Sequence, residues 1–226
     1  MGLSNKWRAA VGCVPASGLA DISMPQFELK SGGLAKEQIR HLADIHRSEV
    51  PGGFLASLGS EALNLLYTFA GESEYATLVA GFELGGSRPV GFICGTWDCA
   101  RLYRSFLSRR GWQLVPVVLP RLLTTQKLRK AAETLLYPAK GQGGPLPKAE
   151  ILNFAVQPAY RGSGLAQDLL RRLILLLKGK GVSKIKIVTG ANQIAAQHFY
   201  EKVGAQRAGA MAVHRGQESL IYVLDI

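Results

Sequence analysis

The residues best suited to chemistry lie between Glu150 and Ala166, where an apolar run reaches Pro158 and Arg161-Gly162-Ser163-Gly164 follows. Five of the seven residues from Glu150 to Val156 are apolar, and Ile151 and Val156 are β-branched, which predicts a strand. Leu165 to Leu177 reads as the helix after it. A strand, a glycine turn and a helix in that order leave backbone N–H groups unpartnered at the helix start, and such a start binds phosphate. The loop is not a Walker A loop, because no Lys-Ser or Lys-Thr follows its second glycine. Nor is it a dinucleotide fingerprint, since Gln167 stands where a third glycine is needed.

Residue types exclude several other chemistries. Cys13, Cys94 and Cys99 are too few and too odd in number for a disulfide framework, and no second pair or nearby histidine completes a zinc site. They read as free thiols in a reducing cytoplasm. His41, His46, His198 and His214 form no H-E-x-x-H pair, so no metal is expected, and Ser163 lacks the G-x-S-x-G frame of a nucleophile.

The elements that must hold the loop follow from periodicity. A chain of 226 residues, 47% hydrophobic, can bury one full core, and it reads as a flexible leader over 1–25 and a single domain over 26–226. Neither a cleavable signal nor an apolar run of about 18 residues is apparent. Phe27 to Lys30 alternates like a half-buried strand. A helix from Ala35 to about His46 follows, broken at Pro51-Gly52-Gly53. Next come a mobile loop bearing Phe54 and a second helix, N-capped by Ser60 and closed by Gly71. Thr77–Leu84 and Pro89–Trp97 flank Gly85-Gly86-Ser87-Arg88, which predicts a hairpin. Beyond the loop helix the pattern gives a strand at Lys184–Val188, a helix at about Gln193–Lys202, and closing strands at Gln206–His214 and Glu218–Leu224. The result is an α/β chain with a mixed sheet and helices on its faces.

Residues 99–148 stand apart. Arg101–Arg110 and Lys127–Leu136 read as helices separated by the proline-marked apolar run Trp112–Leu123, with a Gly- and Pro-rich linker after them. Ten Lys and Arg here face Glu133 alone, so the insert carries nine of the chain's eleven net positive charges. Such a field attracts anionic partners, either a phosphate-bearing small molecule or an acidic membrane surface. A solvated helical face with no partner is the alternative. Nucleic acid is disfavoured, because Tyr103, Phe106 and Trp112 follow helical apolar spacing and do not interleave with the cations.

Two segments together resemble the GNAT superfamily of acyl-CoA-dependent N-acyltransferases. The pattern V-x-P-x-x-R-G-x-G-L-A runs from Val156 to Ala166, and A-x-x-F-Y-E-K-x-G runs from Ala196 to Gly204. The resemblance implies the GNAT fold with a helical insert between its third and fourth strands, and acetyl-CoA as co-substrate with no metal. Pantetheine would lie along Asn153–Val156, pyrophosphate on Arg161, Gly162, Ser163, Gly164, Leu165 and Ala166, and an N–H near Phe154, Ala155 or Val156 would face the thioester oxygen. Tyr200 would be the general acid. Glu150 would be the general base, with Asp98 as second candidate. Members often carry a pantetheine-contacting asparagine seven residues before the tyrosine; that slot is Gln193 here, with Asn192 one residue earlier. The implied acceptor is a small amine, and the basic insert suggests a negatively charged one such as a nucleotide-linked amino sugar; the alternatives are a membrane-surface acyltransferase on a lipid-linked acceptor and a non-catalytic acyl-CoA-binding module. The protein is expected in the cytoplasm as a monomer or homodimer.

Overall fold

The computed structural model describes residues 27–51, 54–124, 146–214 and 217–226. The leader, Gly52 and Gly53, the helix expected over Lys127–Leu136 and most of the linker lie outside them.

Seven strands form one sheet: β1 (Phe27–Ser31), β2 (Ala76–Glu83), β3 (Pro89–Thr96), β4 (Glu150–Val156), β5 (Lys184–Gly190), β6 (Gln206–His214) and β7 (Gln217–Asp225), in the order β1-β2-β3-β4-β5-β7-β6. The hairpin at Gly85-Gly86 forms as expected, with β2 antiparallel to β3. All pairs are antiparallel except β4 with β5. Helices α1 (Lys36–Glu49), the single turn α2 (Phe54–Ser57), α3 (Ser60–Glu72) and α4 (Cys99–Thr124) come before β4. Then α5 (Leu165–Lys178) follows β4, and α6 (Ile194–Lys202) follows β5.

One core cluster gathers Leu42 of α1, Leu63 and Tyr67 of α3, and Leu102 of α4 on Phe82 and Phe92 of the sheet. A second gathers α5 with Ile93, Ile151, Ile187 and Tyr200. α5 buries Leu165, Leu169, Leu170, Leu173 and Leu177, one stripe at helical spacing, each leucine worth about 2 kcal/mol of burial. It can lie close on the sheet because β2 and β3 carry glycines beneath it. A Cβ at Gly81 would sit 2.6 Å from Leu165 Cδ1, and one at Gly95 would sit 2.7 Å from Leu173 Cδ1.

Four expectations need correction. Gly59, at φ 90°, is the N-cap of α3, and Ser60 is its first residue. Gly71 lies inside that helix, which runs on to Glu72, because one glycine costs only about 1 kcal/mol in a helix anchored by its buried leucines. Phe54, expected on a loop, opens the turn α2. The largest difference is α4, which continues from Cys99 through Pro116 and Pro120 to Thr124 without a break at the apolar run. Each proline removes one N–H bond to the carbonyl four residues back, at Trp112 and at Pro116. Both of those residues are exposed, so water can take the freed carbonyls.

Candidate functional site

β4 is paired along its full length on one side and barely on the other. β3 lines it from Gly91↔Val156 to Thr96↔Glu150, with Leu152 skipped in a bulge opposite Cys94 and Gly95. β5 pairs with it only at Glu150↔Lys186 and Ile151↔Ile187. Beyond Ile151 the two parallel strands separate. The edge of β4 from Leu152 to Val156 therefore offers main-chain groups that no strand takes up. The Gln157 N–H bonds the Val90 carbonyl on β3, 3.0 Å away. Strand alternation then turns the N–H groups of Val156 and Phe154 to the open side.

The open edge runs into the glycine loop. A 3-10 turn at Pro158–Tyr160 is closed by Arg161 N–H to the Pro158 carbonyl at 3.2 Å, so this N–H, expected to be available, is used inside the loop. Gly162 and Gly164 have φ of 78° and 93°, a left-handed backbone that only glycine adopts without strain. Gly164 caps α5 with no side-chain bond. Ser163 Oγ donates to the Tyr160 carbonyl at 2.7 Å and receives Leu165 N–H at a long 3.5 Å. Among the described residues, the N–H groups of Gly162, Ser163, Gly164 and Ala166 have no partner, and they stand at the positive end of α5.

Arg161 is placed differently from a phosphate-facing cation. Its Nε donates to the Val156 carbonyl at 3.2 Å and its Nη2 to the Glu49 carboxylate at the end of α1. The side chain thus ties β4, the loop and α1 together. Glu49 had no signal in the sequence, since it lies 112 residues away and in no motif.

Tyr200, buried in the second core cluster, belongs to an aromatic chain that starts from β4. Phe154 meets Phe199 edge-on at 5.5 Å, Phe199 meets Tyr200 at 5.6 Å, and Tyr200 meets Tyr222 at 6.4 Å. Burial pushes the Tyr200 phenol well above its ordinary value, so it remains protonated at any working pH.

Glu150 lies at the foot of the separation between β4 and β5. Its Oε2 pairs with Lys186 Nζ at 2.8 Å, and both side chains are largely buried. Burial first, then the nearby Glu150 carboxylate, push the Cys99 thiol far up, which leaves it un-ionised. The Asp98 carboxylate is engaged elsewhere. Its Oδ1 accepts the Arg101 N–H at 2.9 Å, and its Oδ2 lies 3.5 Å from Arg101 Nε, the arrangement of an N-cap for α4. Gln193 Oε1 accepts from Thr189 Oγ1 at 2.8 Å and from Gly190 N–H at 3.2 Å, so its carbonyl closes the end of β5. Asn192 packs against Gly190.

Residues 129–205 match the Acetyltransferase (GNAT) family model, a span that holds β4, the loop, α5, β5 and α6. An N-acetyltransferase from Staphylococcus aureus superposes with a TM-score of 0.57 at 14% identity, covering 89% of this chain and 99% of that one. PaiA N-acetyltransferase from Thermoplasma acidophilum, in complex with coenzyme A, gives 0.55 at 13%, covering 88% and 99%. This is the GNAT acetyltransferase fold. Two curated relatives are described as ribosomal protein bS18 alanine N-acetyltransferases. The one from Bacillus subtilis is 32% identical over 81 residues, 34% of this chain and 54% of its own length. The one from Haemophilus ducreyi is 36% identical over 59 residues, 26% of this chain and 41% of its own. The chain thus spans about half the length of the curated relatives it matches.

The charge of the insert changes once the GNAT fold is assembled. The ten cations read as one field, yet Arg101 pairs with Asp98, Arg109 approaches Glu74 at 4.0 Å and Arg110 bonds Glu72 at 3.0 Å. These carboxylates come from outside the insert, so no count within it could include them. Among the described residues no cluster of His, Cys, Asp or Glu could hold a metal ion.

Proposed function

We propose that this protein transfers an acetyl group from acetyl-CoA to a primary amine by direct attack. The observation that carries the reading is the unpaired edge of β4 leading into a loop whose N–H groups have no partner. An acyl-CoA has a matching order of parts: an arm with two amides that can pair as an added strand, then a pyrophosphate. The residues present fit it. Leu152–Val156 would hold the arm, and Gly162, Ser163, Gly164 and Ala166 would hold the pyrophosphate. When bound, acetyl-CoA supplies an activated thioester. The Phe154 or Val156 N–H would stabilise negative charge as it grows on the carbonyl oxygen. Tyr200 would give its phenolic proton to the departing sulfur, and Glu150, beside Lys186, would take the proton released by the amine, directly or through water. Asp98, committed to α4, is a poorer base.

For the acceptor we favour an anionic small-molecule amine such as a nucleotide-linked amino sugar, on the excess positive charge of α4 and the residues after it. The relatives favour a second reading, the N-terminal amine of a ribosomal protein. The family match lies in the half that would hold acetyl-CoA, and α1–α4, which would meet the acceptor, precede it. Thiol release from acetyl-CoA, measured with a nucleotide-linked amino sugar, the free amino sugar and a peptide beginning with alanine, separates the readings. The nucleotide-linked acceptor should be turned over fastest. Equal rates with the free sugar would end the charge argument, and a preference for the peptide would establish the second reading.

A further inference from the structure

The side of β4 that meets α4 carries polar groups with no part in the acetyl transfer. Directly opposed residues of paired strands point to the same side of a sheet. Glu150 stands opposite Thr96 and Lys186, and Asn153 stands opposite Cys94. Cys94 belongs to the core cluster shared with α1, α3 and α4, whereas Ile151, Phe154 and Val156 pack in the cluster shared with α5. Ile151 and Phe154 are three residues apart yet share a side, because the bulge inserts one residue between them. Leu152 and Asn153 therefore both turn toward the α4 side, at the point where β5 leaves β4.

α4 is fixed beside this point. The Cys99 N–H bonds the Lys148 carbonyl at 3.0 Å, two residues before Glu150. The inward stripe of the helix is Cys99, Leu102, Tyr103 and Phe106, at the spacing of one helical face. Leu102 and Phe106 are buried in the cluster with α3, while Cys99 and Tyr103 stay half-buried. Burial first, then Cys99 and the Glu150 carboxylate, push the Tyr103 phenol well above its ordinary value, so it keeps its proton. Neither the Tyr103 hydroxyl nor the Asn153 carboxamide has a hydrogen-bond partner among the described residues. Asn64 Oδ1 alone is both unpartnered and fully buried there, so these two groups open onto accessible space. The cations nearby are engaged or turned away: Lys186 pairs with Glu150 at 2.8 Å, and Arg101 and Arg104 are exposed. A hydroxyl, a carboxamide and a paired carboxylate together suit a nitrogen that has hydrogens to give.

We propose that Tyr103 and Asn153 are acceptor-binding residues, which hold a primary amine between α4 and the bulge of β4 with its lone pair toward the thioester. The Asn153 carboxamide oxygen accepts one N–H, and the Tyr103 hydroxyl accepts the other on the side of Glu150. Two neutral partners recognise the amine itself, and an anionic part of the acceptor would lie outside them. The assignment rests on the acetyl-transfer reading for the role of Glu150, but not for the binding of the amine.

The test uses the full chain with two amines, a nucleotide-linked amino sugar and a peptide beginning with alanine. Calorimetry measures the binding of each to the protein saturated with coenzyme A, and thiol release from acetyl-CoA gives KM and kcat. The wild type should bind at least one of them. Tyr103→Phe and Asn153→Ala should each weaken that binding, and raise the acceptor KM, by about tenfold. The kcat should stay within about threefold, with coenzyme A affinity and the thermal transition unchanged. Tyr103→Phe keeps the ring and its packing, so a purely structural role would leave the KM where it is. Three results would overturn the proposal: acceptor affinity unaltered in either variant, a loss confined to coenzyme A affinity, or no binding of either amine by the loaded wild type. Amine binding that the variants lose, in a wild type that releases no thiol, would remove the acetyl-transfer reading and leave the assignment standing.

Discussion

The segment from Glu150 to Lys202 and the face made by α1, α3 and α4 lie on one sheet, yet they are built in opposite ways. In the first, the residues that matter are neighbours in sequence: an open strand edge, a loop with two left-handed glycines, a helix start, and a tyrosine one βα unit later. In the second, the contacts that tie one element to another join distant positions, as with His46 and Tyr67, Arg110 and Glu72, and Glu49 and Arg161. Local construction makes a site for a ligand of fixed shape. Distributed construction lets the other face vary while the sheet stays constant.

The sharpest way to break this contrast is Tyr200→Phe. If the segment supplies the proton for the leaving sulfur, turnover should fall by about a hundredfold or more with coenzyme A affinity nearly unchanged. An unaltered rate would reduce Tyr200 to a packed aromatic beside Tyr222.

Glu150 and Lys186 sharpen the comparison next, because their pair is both largely buried and at the site. Glu150→Gln should abolish most turnover and also destabilise the fold by about 3 kcal/mol, since the lysine is left unpaired. Combining it with Lys186→Met should recover thermal stability. Activity that returns along with stability would show that the carboxylate is structural; stability without activity would support its role as base.

On the other face, His46 Nδ1 and the Tyr67 hydroxyl share a buried hydrogen bond between α1 and α3. Burial holds the His46 imidazole down at about 4, from 6.5. The unfolded chain therefore takes up a proton below 6.5 that the folded chain refuses. Stability is fully present above pH 6.5 and should fall with acidification until about pH 4, at up to about 1.4 kcal/mol per unit. His46→Asn should flatten that part of a plot of transition temperature against pH. An unchanged slope would assign the acid sensitivity to other groups.

The smallest effect tests the one link between the regions. Glu49→Gln should weaken coenzyme A binding by about tenfold or less, because Arg161 would lose an anchor on α1 while keeping the Val156 carbonyl. Isothermal titration would read it, and no change would make the two regions independent.

Much of the Glu150–Lys202 segment could be read from the chain because its signals are local. Pro158, the two glycines and the leucine stripe each act within a few residues, and the observed bounds of β4, α5 and α6 lie within one residue of the expected ones. The helical insert was harder to read. Two prolines look like breaks when taken alone, whereas solvent at Trp112 and Pro116 lets the helix pass through them. Asp98 and Gln193 look available in one dimension, and their bonds to Arg101, Thr189 and Gly190 become visible only in three.

The sequence by itself determined the order of the strands, the glycine turn at Gly162 and Gly164, and the unpartnered start of α5, since each follows from local sterics and periodicity. Only the tertiary structure decided that β4 and β5 part after Ile151, that Arg161 turns to Glu49, that Lys186 meets Glu150, and that three arginines of α4 find carboxylates. The physical reason is the same for all four. Strand separation and ion pairing depend on which distant segments the packed core brings within a few ångströms, and no local pattern encodes that distance.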